Sequence, residues 1–146
     1  MDSVDHEIKR LLEDIEKIIK VRNDIWHPCI SSTDWRTYHQ KRAYQIKLTM
    51  KSLKPIIDLA VSSVLQTSGR GRKPAIDTGQ KITILLVQRL LGKSNRGMAY
   101  MLLLFSSISG KYLGYKSVER FYSDQQVYKV LLKLQELLLE INLAHN

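Results

Sequence analysis

The sequence predicts an all-α fold, and three observations predict it. Apolar residues recur at steps of three and four in several segments, no segment alternates apolar and polar residues with the period of a strand, and the breaks between segments carry helix caps and stops. Within that class the expected organisation is a helical arm or bundle over residues 1–65, a basic linker over 66–76, and a helix-turn-helix-like domain over 77–146 that ends in a long helix. Val4, Ile8, Leu11, Ile15 and Ile18, widened by Leu12 and Ile19, mark an amphipathic helix over 3–22 with Ser3 as its N-cap. Its other face mixes acids and bases, the composition of a bundle or coiled-coil helix.

Residues 23–34 break the pattern with Pro28 and three hydroxylated residues, after which Thr33 or Asp34 is expected to cap a second helix carrying Trp35, Tyr38, Ile46, Met50 and Leu53. The outer side of that helix is basic. Arg36, Lys41, Arg42, Lys47, Lys51 and Lys54 either contact phosphates or form a solvated lysine-rich face. Pro55 either kinks this helix or opens a third as its first-turn residue, with Ile56, Ile57, Leu59, Ala60, Val61, Val64 and Leu65 inside. Asp77 is the expected N-cap of a helix that turns Ile82, Leu85, Leu86 and Leu90 inward and stops at Gly92. Ser94 is expected to cap a further helix from Asn95 to about Ser106, giving a tight helical corner. A short helix around Tyr115–Tyr122 follows, and Ser123 with Gln126 matches a capping box for a final helix with Val127, Leu131, Leu134, Leu138 and Ile141 at heptad spacing. That helix also carries Val130, Leu132, Leu137 and Leu139, more apolar surface than one stripe, so it needs cover from the rest of the fold or from a second copy.

The chain carries a net charge of +9, and its distribution says more than its sum. Residues 1–35 hold five Lys and Arg against eight Asp and Glu, residues 36–120 sixteen against three, and residues 121–146 two against three. Such segregation points to a polyanionic partner met by the middle of the chain. Gly69-Arg70-Gly71-Arg72-Lys73-Pro74 suits a cationic arm, because glycine lets a backbone enter a narrow groove and arginine brings a planar, permanently charged fork. In the segment 115–122, Val118 and Phe121 or Tyr122 face the core and leave Lys116, Glu119 and Arg120 outside, the division a recognition helix needs. Arg120 is the expected base contact.

These stretches, Gly71-Arg72-Lys73-Pro74, the run from Ile82 through Leu91-Gly92-Lys93-Ser94-Asn95-Arg96-Gly97-Met98-Ala99, and Lys116 to Asp124, together resemble the N-terminal DNA-binding region of bacterial and archaeal insertion-sequence transposases. The resemblance covers about residues 69–130 and implies binding of double-stranded DNA such as an element's terminal repeats. By position it implies that Arg72 and Lys73 serve the arm, Asn95 and Arg96 lie near phosphates at a helix start, and Lys116, Ser117 and Arg120 enter the groove. With Arg70 and Lys111 these make the expected DNA contacts. A homodimer through the first and last helices is the expected assembly. Transposases of this kind continue into an RNase H-like domain whose acids hold two divalent metals, whereas after Asp77 this chain has only Glu119, Asp124, Glu136 and Glu140. No nuclease activity is expected of it, and neither cofactor nor metal.

Other chemistry has little support. The histidines His6, His27, His39 and His145 are far apart and the single cysteine, Cys29, excludes both an intramolecular disulfide and a paired-cysteine zinc site. In His27-Pro28-Cys29 the thiol and imidazole read as loop packing. A reducing cytoplasm is the expected compartment, with association with the nucleoid when DNA is bound. No apolar run approaches the ~18 residues of a membrane helix. From a different class, the alternative is a helical protein-interaction module or transcriptional regulator whose basic surface is merely solvated.

Overall fold

The computed structural model describes residues 3–22, 25–26, 35–65, 76–92, 97 and 115–144. The expected caps at Thr33, Asp34 and Ser94, the helix from Asn95 except for Gly97, which is helical, the arm residues 69–74 and the pair His27 and Cys29 lie outside these residues. The fold is all-α, with no strand among the described residues. Helix α1 spans Ser3–Lys20, α2 Trp35–Val64, α3 Thr78–Leu91, α4 Tyr115–Phe121 and α5 Gln125–Ala144. None of them is long and apolar enough to cross a membrane.

Helix α5 is the centre of the packing and touches α1, α2 and α3, while α3 also meets α1, α2 and α4. Its buried residues Val127, Val130, Leu131, Leu134 and Leu138 join Ile8, Leu11, Leu12, Ile15 and Ile19 of α1 and Ile82, Leu85, Leu86 and Leu90 of α3 in one apolar cluster. Ile46, Leu53, Ile57 and Ala60 of α2 and Phe121 of α4 also belong to it, so residues before and after the basic linker share a core. The apolar faces of α1 and α5 that the sequence offers for pairing therefore cover each other within one chain.

Helix α3 begins and ends as its sequence requires. Asp77 accepts from the Gln80 amide at 2.8 Å while the Gln80 side chain accepts from the Asp77 amide at 3.0 Å, a reciprocal capping box. At its other end Gly92 takes φ 68°, a left-handed turn that a side chain disfavours.

Three expectations need correction. Of the two expectations for Pro55, the opening of a third helix does not hold, because α2 runs through it as a single helix of 30 residues. Its ring sits on the solvent side, so the chain loses one internal hydrogen bond without a clash in the core. Leu59, expected inside, is 53% exposed. The cap of α5 is Asp124 and not Ser123: its Oδ1 accepts from the amides of Gln126 and Val127 at 2.9 and 3.3 Å, and the first helical bond runs from Tyr128 N–H to the Asp124 carbonyl.

The turn after α1 supplies core residues that no periodicity marks. Ile25 and Trp26 are buried, held by Trp26 N–H donating to the Arg22 carbonyl at 2.8 Å. Thr49 on α2, fully buried, donates its hydroxyl to the Gln45 carbonyl at 2.8 Å and lies 3.2 Å from the Ile25 carbonyl, tying this turn to α2. Thr49→Val keeps the shape and removes the donor. It is expected to cost about 1 kcal/mol by urea unfolding, the net worth of a buried hydrogen bond.

Candidate nucleic-acid interface

Helix α4 is only 7 residues long and owes its position to its neighbours. Val118 is fully buried and Phe121 nearly so, which fixes the rotation of the helix and turns Lys116, Glu119 and Arg120 to solvent, as the sequence predicts. Lys116 and Arg120 are four residues apart and so share a face. Ser117 is half-buried at its edge. Amides of Tyr122, Ser123 and Asp124 bond back three residues to Glu119, Arg120 and Phe121, closing α4 with tightened turns before α5 starts at Gln125. Two helices thus meet at a short, fully bonded corner.

Three links bind this corner to α3. Lys81 Nζ donates to Asp124 Oδ2 at 2.8 Å and stands 5.8 Å over the Phe121 ring. The Tyr122 hydroxyl donates to Gln88 Oε1 at 3.0 Å, and Thr78 Oγ1 lies 3.4 Å from Gln126 Oε1. Burial pushes the Asp124 carboxyl up, but the hydrogen bond and charge of Lys81 and the amides of Val127 and Gln126 together outweigh it and hold the group below the ordinary carboxylate range. Burial pushes the Tyr122 phenol up, with Arg89 opposing and Asp5 adding to the shift.

Not every cation of the basic middle faces outward for a ligand. Arg89 Nε donates to Glu16 Oε1 of α1 at 3.1 Å, and Lys81 is committed to Asp124. Both belong to the scaffold. Of the expected contacts, Arg70, Arg72, Lys73, Asn95, Arg96 and Lys111 lie outside the described residues, while Lys116, Ser117 and Arg120 are brought together on α4. Glu119 shares that surface, whereas Glu136 pairs with Lys133 on α5. Among the described residues no group of three or more His, Cys, Asp or Glu is placed to hold a metal ion.

No protein-family model and no solved structure matches the chain. Among curated proteins it is 29% identical, over 133 residues, to a probable transposase for insertion sequence element ISA1214 from Archaeoglobus fulgidus. The alignment takes in 91% of this chain and spans 39% of that relative's length. The chain is therefore transposase-like across nearly all of its sequence.

Proposed function

We propose that the chain recognises double-stranded DNA, such as the terminal repeats of an insertion element, and does so as a helix-turn-helix reader. The observation that carries this reading is the similarity to an insertion-sequence transposase over nine-tenths of the sequence. The corner of α4 and α5 supports it: a short helix anchored by Val118 and Phe121 offers Lys116, Ser117 and Arg120 on one side, with α3 bracing it from behind. Arg120 reads a base edge in the major groove, and the arm from Arg70 to Lys73 follows the adjacent minor groove, with Asn95, Arg96 and Lys111 on phosphates. This takes place in the cytoplasm, at the nucleoid.

The same proposal assigns these residues no strand cleavage, because Asp124 is engaged by Lys81 and two amides and Glu136 by Lys133. A second copy joins through Leu132 and Leu139, which remain exposed on α5 one heptad apart.

A gel-shift series against element-end duplexes in graded salt tests the reading. If about six to eight phosphates are neutralised, log affinity falls with log salt at a slope of roughly −5 to −7. Arg120→Ala is expected to reduce discrimination at one base position by about 1 to 3 kcal/mol, and Lys73→Ala to weaken all duplexes alike. A flat salt response sinks the proposal in favour of a protein-interaction module, and identical behaviour of the two variants sinks the division of roles.

A further inference from the structure

Helices α1 and α2 both expose lysines, but they treat them in opposite ways. On α1 each of Lys9, Lys17 and Lys20 has an acid four residues before it, Asp5, Glu13 and Glu16, at 3.2, 3.6 and 3.3 Å, and Arg10 is paired with Glu7. That surface is neutralised from within. Residues 35–57, nearly the whole of α2 up to its last two turns, hold six Lys and Arg and no Asp or Glu. Lys41, Lys47 and Lys51 are exposed and have no ion pair among the described residues, while Lys54 meets Asp58 at 3.6 Å. Like charges one turn apart repel, and a merely soluble helix face interleaves the two signs as α1 does.

The register of these residues matters as much as their charge. Tyr44, Lys47, Lys51 and Lys54 follow steps of three and four, so they lie in one stripe opposite the buried Ile46, Thr49, Leu53, Ile57 and Ala60. From Lys47 to Lys54 the stripe advances roughly 10 Å at ~1.5 Å per residue, the axial length of about three phosphates of a B-form strand at ~3.4 Å each. Tyr44 is 62% exposed beside the lysines, and a tyrosine hydroxyl is a recurrent donor to phosphate oxygen.

We infer that the outer face of α2 is a docking surface for the sugar-phosphate backbone of duplex DNA, separate from the reading surface of α4 and indifferent to base sequence. The inference rests on the duplex-DNA reading above and adds to it a second contact. Phosphate supplies the negative charge that residues 35–57 lack, and lysine meets it as a flexible point charge that fixes position without specifying bases.

The test compares two charge-matched variants of the full chain, Lys47→Gln with Lys51→Gln on α2 and Lys9→Gln with Lys17→Gln on α1. All four side chains are exposed, and unchanged thermal unfolding of each variant verifies the fold. Binding to an element-end duplex and to a scrambled duplex is measured across graded salt. The α2 variant is expected to flatten the salt slope by about two units, roughly 0.9 for each phosphate no longer neutralised, with the preference between the two duplexes unchanged. The α1 variant is expected to keep the wild-type slope. An unaltered slope in the α2 variant overturns the inference while leaving the reading by α4 intact, and so does an equal flattening in both variants, which is an effect of net charge. Wild-type protein that binds neither duplex overturns both readings.

Discussion

Leu134→Ala is expected to lower the free energy of unfolding by about 3 to 5 kcal/mol, the upper part of the range for deleting a buried leucine side chain. Leu134 is fully buried on α5, the helix that α1, α2 and α3 all pack against. A cavity there removes apolar contact on several sides at once and has few ways to collapse, because each neighbouring helix is held by its other contacts. Urea unfolding of the purified chain checks it, with the transition midpoint falling and the slope against denaturant unchanged. A loss below about 1 kcal/mol would show that the helices close over the gap and that α5 is not central to the core.

Asp124→Ala is expected to cost about 2 to 3 kcal/mol, from two sources that act together. The cap of α5 is lost, worth ~1 kcal/mol, and Lys81 is left at a side chain only 21% exposed without its carboxylate, worth about 1.5 kcal/mol or more. The pH dependence separates this pair from a simple packing defect. Because the folded carboxyl is held below its ordinary value, the contribution is fully present above the unfolded value of about 3.9 and is lost as pH falls through the lower folded one. Stability of the wild type measured from pH 6 down to pH 2 should contain this decline, and Asp124→Asn should lack its share of it. Equal pH profiles for the two proteins would contradict the assigned pairing. The same variant should also loosen α4, since Asp124 anchors the corner that holds Arg120 outward.

Local signals make α3 fully legible in the sequence. Asp77 and Gly92 act within a few residues of where they stand, so reading them needs no knowledge of the rest of the fold. The outward turn of Lys116, Glu119 and Arg120 is equally legible, because burying Val118 and Phe121 leaves a short helix no other rotation. What depends on distant partners is not. The expected cap of α5 falls one residue early because Ser123 and Asp124 both have capping chemistry, and it is Lys81, 43 residues away, that favours the carboxylate. Arg89 reads as one more cation of the basic middle until α1 brings Glu16 to it across 73 residues. Ile25 and Trp26 carry no periodic signature at all, since a turn has no repeat, and only the tertiary cluster identifies them as core. The even spread of positive charge along the middle of the sequence therefore separates in space into scaffold pairs on α3 and open cations on α2 and α4.

The contact between α1 and α5 sets a schedule for biosynthesis. At ~5–20 residues per second the ribosome takes roughly 5 to 20 s to proceed from the end of the first of these helices to the start of the other. During that interval only α3 among the partners of α1 is made, and the larger part of the cover for Ile8, Leu11 and Ile15 waits for α5. Its bonds between Asp5 and Lys9, Glu13 and Lys17, and Glu16 and Lys20 are all local and form without waiting, whereas those from Arg89 and Gln135 arrive afterwards. The first helix is thus equipped to stay wound and dissolved until translation delivers the surface it closes against.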